Sequence, residues 1–512
     1  MSNIAPNSTI KILKNVPLDV THKHTIYFGS KSSQVSYFNG KVQYTLDNYT
    51  YQRVQKNVCR VGIKADNLYE CNYLMFKNTG YGNKWFYAFI TAVEFINNEV
   101  SEITFELDVM QTWLVGDDYE LGNQFIERQH AMSDEIGENI VPEPVELGEY
   151  INSDYDNLKN VSSLAIIVGT SWIPNDFTHA IWADRQLTIN LCGFTNIANL
   201  RNMLNDYNSH PDDIQFIYMC PEFLLDNDSR VNNPLGLGGE PSPRVSTYGL
   251  AITGAESFSD STAHSSYTPK NKKLYTYPYN FYMVDNSCGD TMTLRYEFFS
   301  DLTPKFEIMG TYVQPVTVTC FPTHYKNSGV NPNFHESISM VDFPQCSWQS
   351  DYYARWLGQS GLATVLTGLG SAVNGSKGGV MNAPITNFIT GLEIDNYTAS
   401  IHTDISKGKN VSNLLASKQE LKFRGCRTHI TSNMCECIDN FFTRFGYAYN
   451  IIGTPNISGR KKWNYVKLRD CTIKGSVPMS DMKAINDIYD SGITFWKKGS
   501  EVGDYSLDNT LT

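Results

Sequence analysis

The sequence predicts a mainly β protein with some helix, an α+β chain that folds as more than one domain. Three observations carry this. At 512 residues the chain exceeds what one ordinary core holds, so two to four domains, or one domain with large insertions, are expected. Hydrophobic residues reach 41% against only 18% charged, enough apolar surface to offset the entropy of ordering a globular chain. The 31 Tyr and 26 Phe, with Thr and Val in short alternating runs, favour strands, because aromatic and β-branched side chains pack well on a pleated surface.

The stretch to about residue 140 reads as a run of strands. Phe86 to Ile96 is aromatic and β-branched, Asn97-Asn98-Glu99 is polar, and Glu102 to Asp108 alternates, which predicts a hairpin with one wet face. A further strand is expected at Gln124 to Arg128. Pro142-Glu143-Pro144 marks a boundary, with Glu143 and Glu146 read as solvated loop charges. From about 145 to 340 short apolar runs such as Ser163 to Val168 and Ile214 to Tyr218 alternate with loops, the most loop-like being Asn232 to Ser265. Leu200, Met203 and Leu204 fall on one face of a helix near Thr195 to Tyr207, and strands resume at Leu294 to Phe299 and Val313 to Phe321. From about 421 strand and helix patterns return. Met482, Ile485, Ile488 and Tyr489 predict a helix over Asp481 to Tyr489, and Ile493 to Trp496 a terminal strand.

Between these parts lies an unusual segment, Trp356 to Leu392, in which Lys377 is the one charged residue. After Trp356 and Leu357, the residues Leu362, Val365, Leu366, Leu369 and Val373 recur at helical spacing. Gly361, Gly368 and Gly370 keep that element thin and its helix propensity poor. A break at Gly375, Gly378 and Gly379 supplies hinges. A second apolar stretch then carries Val380, Met381, Ile385, Phe388, Ile389 and Leu392, with Pro384 inside it. Trp356 to Ser376 is long enough to cross ~30 Å of hydrocarbon as a helix, yet Gln359, Asn374 and several Ser and Thr leave it too polar for a permanent anchor. A conditional membrane element and a Gly-rich core helix pair or surface loop both fit this composition.

Formal net charge is -12 and no block of Lys or Arg stands out, which argues against a protein that binds nucleic acid by displacing phosphate counterions. An acidic wall does suit DNA that slides past without adhering. The 11 Cys are scattered, and the N-terminal residues lack a charged and then apolar leader, so reduced, mostly buried thiols of a protein made in a cytosol are expected. Cys426, His429, Cys435 and Cys437 approach a zinc cluster in composition, but Cys435-Glu436-Cys437 places one residue between thiols where structural sites use two to four. No Gly-x-Ser-x-Gly, His-Glu-x-x-His or Walker spacing occurs, and no cofactor is expected.

Several segments stand out together: MFKNTGYGNKWFYAFITAVEF from Met75, LDVMQTW from Leu107, FIERQH from Phe125, and at the other end Phe445-Gly-Tyr447, Trp463-Asn-Tyr-Val466, Asp470-Cys471, Ser491 to Trp496 and Asp504 to Asn509. In these the chain resembles a known family, the tail knob or distal tail-tube proteins of small short-tailed podophages (picovirus type) that infect Bacillus and Streptococcus. Both ends match well and the middle loosely. The resemblance implies a tube-core motif at Tyr81, Gly82, Asn83, Trp85, Phe86, Trp113, Trp463 and Trp496. It implies domains at 1–140 and 421–512 that together form a β-rich tube, an inserted knob at 141–345, and an apolar loop region at 346–420. It further implies a ring-shaped homo-hexamer in the virion tail, joined to neighbouring tail and collar proteins, through which double-stranded DNA is ejected. The apolar loop would plug the tube and then penetrate the host cell membrane. The rival expectations are a wall-degrading tail-tip enzyme and a receptor-binding module that uses Trp172 and Trp182.

Overall fold

The computed structural model describes residues 7–49, 57–116, 118–170, 190–206, 214–225, 250–253, 266–312, 316–341, 343, 345–347, 421–455, 457 and 462–511. Trp172, Trp182 and the whole apolar segment from Trp356 to Leu392 lie outside them. The chain divides into two compact units, one formed by Met1–Leu147, Pro269–Leu274 and Ser432–Thr512, the other by Gly148–Thr268 and Tyr275–Thr431.

The first unit begins with strands β1 (Ser8–Lys14) and β2 (His24–Ile26), helix α1 (Lys31–Asn39), and strands β3 (Val42–Tyr49), β4 (Val58–Val61), β5 (Cys71–Asn78), β6 (Trp85–Asn97) and β7 (Val100–Leu107). Helix α2 (Val109–Trp113) and strands β8 (Tyr119–Leu121) and β9 (Gln124–Gln129) follow. Six of these form an antiparallel sheet in the order β3-β1-β5-β6-β7-β4. Because successive side chains on a strand face opposite ways, one face carries Leu13, Tyr73, Met75, Tyr87 and Phe89 against Phe38 of α1. The other carries Ile12, Leu74, Ala88, Ile103 and Phe105. The expected β6–β7 hairpin is present; Glu94 lies opposite Glu102 and Phe95 opposite Ser101.

The second unit contains β10 (Tyr150–Asn160), β11 (Leu164–Thr170), β12 (Asn190–Phe194), helix α3 (Ile197–Asp206), β13 (Ile214–Pro221), β14 (Leu250–Thr253), β15 (Asn280–Asp285) and β16 (Thr291–Leu294). It continues through β17 (Lys305–Thr311), β18 (Thr317–Thr323), β19 (Ile338–Met340), β20 (Gln345–Ser347) and β21 (Lys422–Ile430). Three four-stranded sheets result, β10-β21-β15-β16, β12-β11-β13-β20 and β14-β17-β18-β19, around one shared core. The uninterrupted apolar run of β11 is buried along its whole length, as a strand covered on both faces requires. The apolar stripe of α3 puts Leu200, Met203 and Leu204 into the same core. One expectation fails here. The strand predicted through Phe299 stops at Leu294, and Tyr296 and Phe299 reach the core from a tight turn, in which Phe298 N donates to Arg295 O (3.2 Å) and Phe299 N to Tyr296 O (3.1 Å). Residues 422–430 belong to this unit, because β21 pairs on both sides, with β10 and β15.

The chain then returns to the first unit with helix α4 (Ser432–Phe445), strands β22 (Tyr447–Gly453), β23 (Tyr465–Arg469) and β24 (Ile473–Gly475), helix α5 (Met479–Ser491) and β25 (Ile493–Trp496). A second sheet runs β2-β25-β23-β9-β22, mixing strands from both chain ends, and β2 and β25 lie parallel with Ile26 opposite Trp496. Its core joins Val109, Met110 and Ile126 to Val466, Leu468, Ile485, Tyr489 and Phe495. Among the described residues no helix is long and apolar enough to cross a membrane.

Candidate functional site

The tube-core residues named from the sequence lie in the first unit and form two groups, and two further clusters of the same unit stand beside them. The first group stitches the two ends of the chain together. Trp113, at the end of α2, is buried and its Nε1–H donates to Asp481 Oδ2 of α5 (3.1 Å). Tyr119 and Tyr489 share a hydroxyl hydrogen bond at 3.1 Å. Trp496 is fully buried, and its Nε1–H donates to His24 Nδ1 (3.1 Å). Trp463 is buried beside His130 and donates to Leu507 O (3.0 Å). These indole N–H groups are donors only, so each fixes its partner as the acceptor.

The second group is the turn before β6. Asn78 Oδ1 accepts from Gly80 N (2.7 Å), and Gly82 (φ 65°) and Asn83 (φ 58°) are both left-handed, which is why glycine and asparagine occupy these positions. Tyr81 is 65% exposed; the turn carries it out to solvent, where its ring and that of Phe86 meet edge to face. Phe86 in turn meets Trp113 edge-on, and the Lys84 ammonium lies 3.5 Å from the Trp113 ring centre while pairing with Asp118 (3.1 Å). Trp85 is half-buried, with the ammoniums of Lys11 and Lys77 at 5.3 and 5.0 Å from its ring centre.

The third group escaped the sequence reading. Glu143 is no solvated loop charge. Its side chain is fully buried, pairs with Arg128 and with Lys273 Nζ (2.5 Å), and accepts from Ala448 N (2.8 Å). Glu146 is exposed as expected. Beside this cluster, Asp134 accepts from Tyr447 OH (2.6 Å) and Lys462 Nζ (2.7 Å), and the Asp439 carboxylate accepts from Lys270 N (2.9 Å) and Asn271 N (3.0 Å). Residues 269–274 are thereby fastened to the first unit. Burial pulls the Lys273 pKa down, and the adjacent Glu143 carboxylate works against that. The one signal in the sequence was the pair of prolines around Glu143, which stiffens the backbone that presents it.

A fourth cluster, also unforeseen, surrounds Asp108, whose carboxylate caps α2 by accepting from Gln111 N (3.0 Å) and accepts from Tyr73 OH (2.9 Å). Burial raises the Asp108 pKa, opposed by His22 nearby and by these hydrogen bonds. The buried thiols show little reactive character. Burial pushes Cys59, Cys192, Cys435 and Cys471 up to about 12, far from the thiolate that acts as nucleophile or metal ligand. Cys435 is buried and Cys437 exposed, and among the described residues no three of His, Cys, Asp and Glu come close enough to hold a metal ion.

A fold with these sheets is found in a solved phage protein. The structure of the bacteriophage C1 tail knob protein, gp12, superposes with a TM-score of 0.61 at 14% identity, covering 99% of this chain and 100% of that one. In sequence, the tail knob proteins gp9 of Bacillus phages PZA and phi29 are each 24% identical, and that of phage B103 is 22% identical, with 98% of both chains covered each time. Residues 6–118 match the N-terminus of the caudoviral major tail protein. Residues 249–510, more than half of the chain, match the C-terminal domain of the Bacillus phage phi29 tail knob protein gp9, and the chain belongs to that family.

Proposed function

We propose that this chain is a structural, non-enzymatic subunit of a phage tail, forming the distal tube and knob through which DNA is ejected. The observation that carries this is the full-length likeness to tail knob proteins, with 98% of both chains covered, together with a tail-protein match over residues 6–118. Six copies form the ring in this reading, contacting neighbouring tail and collar proteins. At six times -12 the assembly carries a formal charge of -72, which lets the duplex slide rather than adhere.

The Trp356–Leu392 segment supplies the membrane step. Packed together inside a tube, six such segments bury Leu and Val against one another; once released, the same surfaces prefer lipid. Several weakly inserting copies on one ring act together, so avidity replaces the strength that each lacks. Electron microscopy and solution mass of the purified chain test the ring, for which a six-fold particle with an axial channel is expected. Replacing Leu362 and Leu366 with Asp tests the loop. Assembly should persist while leakage of lipid vesicles and phage infectivity are lost, and normal infectivity would remove the loop from the mechanism.

A further inference from the structure

The long hairpin of the first sheet is only half supported. β6 pairs with β5 as far as Phe89, opposite Tyr73, but runs on to Asn97. Beyond Ile90 its outer edge has no strand partner among the described residues, and every residue from Thr91 to Asn97 except Val93 is exposed. Phe95 is 63% and Ile96 42% exposed. An open edge of this kind, carrying an aromatic and an aliphatic side chain, invites a partner.

The charges say what the partner carries. Arg60, Glu102 and Glu94 form one row across β4, β7 and β6. Arg60 pairs with Glu102 at 2.7 Å, so the row ends at the open edge on Glu94, which has no cation among the described residues. Two like charges directly opposite one another destabilise a strand pair unless a cation joins them. Glu99 adds a further exposed carboxylate at the tip. The other end of the same strand has the opposite character. Lys11 and Lys77 both stand over the Trp85 ring, and neither meets a carboxylate within salt-bridge distance among the described residues. From Trp85 to Glu94 is about 30 Å along a strand, so the two poles of one chain cannot meet.

We propose that the distal β6–β7 hairpin is an arm that docks on the Lys11–Lys77–Trp85 patch of a second copy of this chain, in a head-to-tail contact. Such a heterologous contact joins two different surfaces, and its repetition closes a ring when the rotation allows. The inference rests on the ring assembly proposed above and names the surfaces that build it.

The test is a charge exchange on the full-length chain, with mass and particle shape in solution as the readout. One variant carries Lys11→Glu and Lys77→Glu; the other carries Glu94→Lys and Glu99→Lys. Each alone should assemble at least about tenfold more weakly than the parent, since rim charges set register and exclude like-charged partners. Mixed one to one, every arm meets an opposite patch, and assembly should return. That recovery also shows that both variants fold. Wild-type assembly by either variant alone, or a mixture no better than its parts, would overturn the docking contact while leaving the ring intact. A parent chain that stays monomeric at its highest soluble concentration would overturn the ring and the contact together.

Discussion

At the scale of single residues, the first unit depends on charged groups that are costly to bury unless they are paired. Glu143 holds two cations, Arg128 and Lys273, and one backbone N–H from a site closed to water. Replacing it with Ala would strand both cations, and breaking a buried pair from one side costs about 3–5 kcal/mol. Glu143→Ala should therefore lower the thermal midpoint by several degrees, whereas Glu146→Ala on the same exposed segment should change it little; calorimetry of the two variants decides. His24 gives the pH dependence. Its Nδ1 accepts from Trp496, and burial holds its pKa below the ordinary 6.5 against the opposing pull of Asp19. A base whose folded pKa is depressed stabilises the fold above its unfolded value, and that stabilisation is lost as pH falls through the folded value. The thermal midpoint should drop on going from pH 7 to about pH 5, and His24→Gln, uncharged throughout, should flatten the drop. Equal slopes for the two proteins would assign the acid sensitivity to another group.

At the scale of elements, what was legible in the sequence is what local periodicity dictates. The aromatic and β-branched run before Asn97-Asn98-Glu99 and the alternation after it located β6 and β7, three apolar residues at helical spacing located α3, and a further stripe with Ile485, Ile488 and Tyr489 located α5. The Leu294–Phe299 segment misled because aromatic content is the same in a strand and in a turn that buries the same rings. The end of α4 falls at a left-handed glycine, and the crowding that demands glycine there exists only in the folded state. Gly446 stands at φ 64°, and a Cβ there would lie 2.3 Å from the backbone of Gln129. The candidate site was legible only in part. Trp113, Trp463 and Trp496 are buried and Tyr81 is exposed, while Glu143, read as a loop charge, has a buried side chain. Its partners Arg128, Lys273 and Ala448 lie 15, 130 and 305 positions away, separations at which no local pattern operates.

At the scale of the whole molecule, the first unit is discontinuous, and its second sheet cannot close from one end of the chain. β25 lies between β2 and β23, and all four of its residues are buried. Burying each large apolar side chain contributes roughly 1.5–3 kcal/mol. Losing Ile493, Phe495 and Trp496 therefore takes away a large part of the about 5–15 kcal/mol that holds a typical domain folded. The core of the second unit draws only on residues 158–423 and contains none of these side chains. A chain truncated after Ser491 should therefore lose amide protection selectively. Hydrogen exchange in β2, β9 and β23 should become fast, while β11, β13, β17 and β18 keep their protection, because the contacts that slow their opening are intact. Preserved protection in β2 and β23 would mean that the N-terminal strands hold their sheet without β25. Loss of protection throughout would mean that the two cores unfold as one cooperative system.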